Sequence, residues 1–325
     1  MTADFSALGI AVGHATDERG ATGVTVIRAV EGALRGGVCV YGRATGTREL
    51  ETLDPTHQSG RVDAIMLTGG SAYGLDAAAG VMRWMEERRR GVEIGPGVVP
   101  IVPAAVIFDL VPLGDFSARP TAEMAYAACE SALTNGIAEG SVGAGTGATV
   151  GKAGGPGNAM KGGFGCAVRS AGEAVVCAAA VVNALGDVRD ADGRIIAGAR
   201  DASGGFMDSA AQLAKYGQVP PPPGRRPLVP QHTTLCVVAT NMTLERSELA
   251  QLARAAGAAL FRRITPVGTS FDGDVVFALC KPDGQRGTLM PLELIAASAL
   301  EEAIERGVRL AVGRDGVPGL ADRPR

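Results

Sequence analysis

Pro230-Gln231-His232-Thr233-Thr234-Leu235-Cys236-Val237-Val238-Ala239-Thr240 joins two kinds of chain. From Thr233 to Thr240 the residues are mostly β-branched or apolar, without glycine or proline. That is the composition of a strand buried on both faces. Upstream, Val219-Pro220-Pro221-Pro222-Pro223-Gly224-Arg225-Arg226-Pro227 cannot form a helix or a central strand, and favours an extended, solvated polyproline conformation. A flexible tether is thus expected to lead into a rigid strand, with Thr233 at the join. If the bond between His232 and Thr233 breaks, the tether moves aside and Thr233 stays fixed. Its hydroxyl is then a nucleophile, and its new α-amine is a base on the same residue. An α-amine has a reference pKa of about 7.7–8.0, so it accepts a proton near neutral pH without a histidine. The pattern also describes a plain proline-rich loop entering a core strand, with threonine serving β-propensity.

The 325 residues are 46% apolar, enough for a large core. A net charge of −3 and 4% aromatics argue against a basic, base-stacking surface for nucleic acid. The six cysteines contain no Cys-x-x-Cys, and most lie in apolar runs, which predicts buried reduced thiols. His14, His57 and His232 have no metal-ligand spacing, so no metal and no cofactor are expected. The N-terminus lacks a basic region followed by an apolar core, and no run of about 18 apolar residues occurs. A soluble, cytoplasmic protein with no membrane partner is the expectation.

The remaining segments alternate between strand and helix patterns. Leu8 to Gly13, Thr22 to Val30 and Val38 to Tyr41 predict a β-meander, with His14 an ordinary structural histidine at the end of its first strand. Val62 to Thr68 predicts a strand, Gly69 to Gly74 a tight turn and Leu75 to Arg90 a helix. The turn carries Ser71, yet Tyr73 stands where a nucleophile elbow needs its second glycine. Ala104 to Leu110 predicts a strand, and Thr121 to Leu133 a helix with Pro120 at its start. The glycine-rich stretch 140–165 holds two of the four lysines, Lys152 and Lys161. A solvated loop lysine is the ordinary reading of each. Its nucleotide-binding patterns fail: no helix pattern follows Gly143-Ala144-Gly145-Thr146-Gly147, and Ala153 follows Gly151-Lys152. Phe164 to Val168 and Glu173 to Val182 predict paired strands, and the second ends at Asn183. Residues 205–217 predict a short helix, Leu244 to Leu260 a longer one, Val275 to Leu279 a strand and Pro291 to Leu310 a last helix. Such alternation implies a layered α/β fold. The C-terminal part starts on a core strand and therefore cannot be a separate domain.

Several stretches together resemble the L-aminopeptidase/D-esterase family, which includes β-peptidyl aminopeptidases and endo-type nylon-oligomer hydrolases. They are Val12 to Asp17, Thr22 to Val26, Leu67-Thr68-Gly69-Gly70-Ser71-Ala72-Tyr73-Gly74-Leu75, Val102 to Asp109, Gly143 to Gly147 and Ala159 to Gly163, with the Thr233 and Asp272 segments. They span almost the whole chain in the right order. The resemblance implies a four-layer αββα sandwich with mixed β-sheets. It implies one catalytic domain, 1–325, that cuts itself into a large fragment, 1–232, and a small one, 233–325. By motif match Thr233 takes the nucleophile position, Asn183 the oxyanion-binding asparagine, and Lys152 a site lysine of the nylon-hydrolase branch. Asp272 and Asp274 match the acidic pair of that branch. Phe108 stands where some relatives carry a tyrosine, and with Ser71 and Tyr73 it is assigned to substrate binding. His232 departs from the asparagine or glycine usual before the cut. The cut itself needs only the Thr233 hydroxyl and a strained carbonyl, so His232 bears on its rate.

The function so implied is a self-processing threonine amidase that releases N-terminal residues from a small peptide or amide substrate. Alternatives are an endo-type hydrolase of linear polyamide oligomers, an acyltransferase, an uncleaved non-enzymatic binding protein and a hydrolase built on Ser71. The family also implies a homo-oligomer, a tetramer.

Overall fold

Side-chain alternation along the Thr233–Thr240 strand generates the layers of the computed structural model, which describes residues 3–217 and 232–322. Leu235, Val237 and Ala239 project to one side and Cys236 and Val238 to the other, and all eight residues of the strand are buried. The strand is central in a six-stranded sheet ordered Gly163–Ala171, Ala174–Asn183, Thr233–Thr240, Val275–Cys280, Leu34–Val40, Arg61–Val62. It runs antiparallel to Ala174–Asn183 and parallel to Val275–Cys280, so the sheet is mixed. A second sheet, of five strands, is ordered Ile10–Asp17, Thr22–Ala29, Ala64–Thr68, Ala104–Val106, Thr47–Arg48.

Three apolar interfaces stack these elements into four layers. Leu235, Val237, Val275 and Phe277 meet Ile10, Val12, Ile27, Ile65 and Leu67 between the two sheets. Cys236, Val238 and Val276 pack instead on Leu249, Leu252, Leu292, Ala296 and Leu300 of helices Arg246–Ala256 and Leu289–Arg309. Val24, Val26, Ala64 and Met66 pack on Val81, Met85, Ala125 and Ala128 of helices Ala78–Glu87 and Ala122–Glu130. This is the αββα sandwich with mixed sheets. The long helix lies hard against its sheet at Gly165, where an added Cβ would come 2.2 Å from the Ala303 carbonyl oxygen. The segment after Thr233 supplies the middle of a sheet, as its composition implied.

Local expectations are corrected in places. The first strands do not form a three-stranded meander. Ile10–Asp17 and Thr22–Ala29 pair, but Leu34–Val40 crosses to the other sheet and pairs with Val275–Cys280. The run from Val62 to Thr68 is likewise two strands in two sheets, Arg61–Val62 and Ala64–Thr68. The crossing is held at buried Asp63, whose carboxylate accepts from Arg61 Nη2 at 2.7 Å and from Ile101 N–H at 2.9 Å. Hydrophobic runs record burial and not which sheet is joined, so neither crossing could be read from them. His14 lies within its strand, not at its end. The helix after Gly70 begins as a 3₁₀ turn over Ser71–Ala77 before Ala78–Glu87 becomes α-helical. The strand expected from Ala104 to Leu110 is only Ala104–Val106, and the helix expected to Leu260 breaks at Gly257 into Arg246–Ala256 and Ala258–Arg263. The helix expected over 205–217 is Ser209–Tyr216. The proline tether falls at 218–231 and lies outside the described residues.

Phe277 is fully buried between the sheets. Phe277→Ala is expected to lower unfolding free energy by about 3–5 kcal/mol, read by urea titration. Leu294→Ala, on an exposed position of the last helix, should stay within about 0.5 kcal/mol. Similar losses for both would contradict the layer assignment.

Candidate active site

Strand register puts the chemistry together. Thr233 opens the central strand, and its cross-strand partner is Asn183, the last residue of the neighbouring strand. Thr233 shares the parity of Leu235 and Val237, and Asn183 that of Val181, so both point toward the space between the sheets. The loop that follows Ala104–Val106 of the other sheet reaches this end of the space, where Asn183 Nδ2 donates to the Phe108 carbonyl at 3.2 Å. Thr233 and Asn183 are both buried.

Asn183 is held from three sides. Its Oδ1 accepts from Thr149 N–H at 3.1 Å and from Lys152 Nζ at 2.7 Å. With Nδ2 on Phe108, one amide hydrogen remains for a ligand. Lys152 Nζ also donates to the Asn183 carbonyl at 3.1 Å. Burial pulls the Lys152 ammonium from its ordinary 10.5 down to about 7, against the opposing pull of Asp272.

The Asp272-Gly273-Asp274 turn forms the opposite wall. It is fixed by Tyr41 N–H to the Asp274 carbonyl at 2.9 Å and Ala44 N–H to the Asp272 carbonyl at 3.0 Å. Asp274 accepts the N–H of Thr234 at 2.7 Å, and Asp272 accepts the N–H of Thr269 at 2.7 Å. Burial, and then the neighbouring Asp272, push the Asp274 carboxyl up to about 7. Burial also raises Asp272. Gly273 has no room for a side chain. A Cβ there would lie 2.5 Å from the Ala44 carbonyl oxygen and 2.7 Å from Thr233 Oγ1.

This turn also grips the junction. His232 N–H donates to the Phe271 carbonyl at 3.1 Å, and Gly273 N–H donates to the His232 carbonyl at 2.6 Å. That carbonyl belongs to the bond ahead of Thr233. His232 is 4% exposed, and among the described residues neither of its ring nitrogens has a hydrogen-bond partner. Burial, and then the Lys152 charge, drive its pKa down to about 2, so the ring is neutral.

Thr233, Asn183, Lys152, Asp272, Asp274 and His232 are therefore brought into one cluster, and Phe108 joins it through its backbone carbonyl. Ser71, with φ of +52°, donates its N–H to the Ile107 carbonyl at 3.0 Å. Tyr73 is 61% exposed and faces the Arg119 guanidinium at 4.4 Å. Among the described residues neither side chain hydrogen-bonds to the cluster.

Lys161 is not the solvated loop lysine expected of it. It is fully buried and donates to the carbonyls of Thr146 and Ala148 at 2.7 Å each, which steadies the segment that carries Thr149. Buried Asp109 accepts from Thr22 Oγ1 and Gly70 N–H at 2.7 Å each and so anchors the Phe108 segment. His14 Nδ1 hydrogen-bonds with Thr25 Oγ1 at 2.9 Å, a structural contact. The backbone donors at Thr149 and Gly273 were missed by sequence reasoning. The glycine between two aspartates was the one available signal for the second of them.

Asp274 and Lys152 give opposite pH slopes to stability. Asp274 keeps, in the fold, a proton that the unfolded chain loses between its ordinary 3.8 and about 7, so its contribution falls as pH rises through that window. Lys152 has lost, in the fold, a proton that the unfolded chain keeps between about 7 and its ordinary 10.5, so its contribution rises with pH there. In urea titrations of protein carrying Thr233→Ala, Asp274→Asn should flatten the falling limb and Lys152→Met the rising one. Unchanged curves would contradict the burial of these charges.

The family model "Peptidase family S58" matches residues 7–320. An "uncharacterized aminopeptidase" of Mycobacterium bovis is 42% identical over 321 residues, 93% of this chain and 90% of that protein. A 6-aminohexanoate-oligomer endohydrolase of a Kocuria species is 34% identical over 291 residues, 86% of this chain and 74% of that protein. Among solved structures, the L-aminopeptidase D-Ala-esterase/amidase of Ochrobactrum anthropi, described as a variant of the Ntn-hydrolase fold, superposes with a TM-score of 0.69 at 20% identity. It covers 96% of this chain and 88% of its own. The Thr233 cluster thus stands in an Ntn-hydrolase fold, and the chain belongs to peptidase family S58.

Proposed function

We propose that this S58 hydrolase cuts itself between His232 and Thr233 and then acts as an aminopeptidase with Thr233 as its N-terminal nucleophile. The observation that carries the reading is the short hydrogen bond, 2.6 Å, from Gly273 N–H to the His232 carbonyl oxygen. A donor already aimed at that oxygen stabilises the negative charge that forms when Thr233 Oγ1 attacks the carbonyl carbon. The carbon–nitrogen bond then breaks, the nitrogen takes a proton and becomes the Thr233 α-amine, and an ester remains. Water hydrolyses the ester and frees the His232 carboxylate.

In turnover, Thr233 Oγ1 attacks the substrate amide and passes its proton to its own α-amine. The free amide hydrogen of Asn183 supports the oxyanion, while Lys152 and Thr149 N–H keep the amide oriented. Asp274, bound to Thr234 N–H, lies one residue from the new amine and orients it. The amine product leaves with the proton, and water cleaves the acyl-enzyme. Higher identity to aminopeptidases than to the oligomer endohydrolase supports an exopeptidase. Lys152, Asp272 and Asp274, which match the nylon-hydrolase branch, favour cleavage of linear polyamide oligomers as the second reading.

Turnover of L-aminoacyl p-nitroanilides tests the assignment. Thr233→Ala should abolish it and Ser71→Ala should spare it; the reverse would move the nucleophile to Ser71. Asn183→Ala should lower kcat by about 10²–10³, the effect of losing one oxyanion donor. A near-wild-type kcat would remove Asn183 from the site. Rate should rise with pH to a plateau near roughly 7–8, as an α-amine base requires. An acidic optimum would contradict that base.

A further inference from the structure

The buried His232 ring has no role in the mechanism above, and among the described residues nothing hydrogen-bonds to it. We infer that the space it fills in the uncut chain becomes, after cleavage, the subsite for the side chain of the substrate residue whose carbonyl Thr233 attacks. We infer further that this subsite takes an uncharged side chain of about imidazole size on an L-α-aminoacyl group. This inference rests on the proposed nucleophile.

The first step is covalent identity. Attack of Thr233 Oγ1 on its own preceding carbonyl gives an ester between residue 232 and Thr233. A substrate acyl-enzyme is the same ester with another acyl group on the same oxygen. The two acyl groups therefore share the places of carbonyl, Cα and side chain. The uncut chain marks each place. Gly273 N–H holds the carbonyl oxygen, and the Phe271 carbonyl accepts the N–H of the attacked residue at 3.1 Å. In a substrate, that N–H belongs to the free α-amine. A β-aminoacyl or 6-aminohexanoyl group carries its amine one or several bonds further from the carbonyl and cannot reach Phe271 in the same pose.

The second step is the chemistry of the hole. His232 is 4% exposed, with both ring nitrogens unpaired among the described residues. A hole evolved for imidazole would supply a donor or an acceptor, so an apolar side chain of similar volume loses nothing there. A charged one loses its hydration, and the one cation nearby, Lys152 Nζ, is already committed to the two oxygens of Asn183. The Lys152 ammonium, which already acts on the ring, adds repulsion against a cation.

Two series test this, and their rank orders should coincide. In the full chain, His232→Leu should self-cleave at least as fast as the unsubstituted protein, whereas His232→Asp and His232→Lys should be slower by about tenfold or more. With the unsubstituted, cleaved protein, kcat/KM should rank leucyl above histidyl, and histidyl about tenfold or more above lysyl and aspartyl p-nitroanilides. D-leucyl and β-alanyl p-nitroanilides should fall below L-leucyl. The substrate series uses the unsubstituted protein, so a variant that fails to fold leaves the test intact. Preference for lysyl, aspartyl or β-alanyl amides, or discordant ranks in the two series, would overturn the subsite while leaving the hydrolase reading standing. Cleaved protein that hydrolyses none of these amides would overturn both.

Discussion

The pairing of Thr233 with Asn183 across two central strands is the constraint on which the site depends. Neither strand can slip. A one-residue shift would turn Leu235, Val237 and Ala239 toward the helices and Cys236 and Val238 toward the other sheet, emptying and overfilling both interfaces at once. Burial on both faces thus fixes the position of one hydroxyl to within the tolerance of a packed core. Thr233 begins the strand, so its backbone nitrogen is at the boundary between rigid sheet and incoming chain. That is where a backbone cut leaves the geometry of the remaining strand undisturbed.

Around this pair the protein keeps ionisable groups that water would hold better. Lys152, Asp272 and Asp274 remain because each is hydrogen-bonded: Lys152 to Asn183, Asp272 to Thr269 N–H, and Asp274 to Thr234 N–H. Burial draws the Lys152 ammonium down and pushes the Asp274 carboxyl up from their ordinary values. A further ring of buried polar groups, Lys161 on the carbonyls of Thr146 and Ala148 and Asp109 on Gly70 and Thr22, stiffens the loops that carry Thr149 and Phe108.

Much of this was legible in the sequence. The run from Thr233 to Thr240 announced a strand buried on both faces, and apolar spacing at Leu249 and Leu252 announced the helix that covers it. The ordered set of motifs points to Asn183, Lys152, Asp272 and Asp274, which the structure gathers around Thr233. What stayed hidden has physical reasons. Sheet membership of Leu34–Val40 and Arg61–Val62 is a long-range choice that local hydrophobicity does not encode. The burial of Lys161 depends on carbonyls from another segment. The Gly273 donor is backbone, so its role leaves no trace beyond the absence of a side chain.

The central claim is that the His232–Thr233 bond breaks and Thr233 becomes an N-terminus. Intact mass of the purified protein under denaturing conditions tests it most directly. The account predicts two fragments, residues 1–232 and 233–325, with Thr233 at the start of the smaller. A single chain of undiminished mass after long incubation would contradict it.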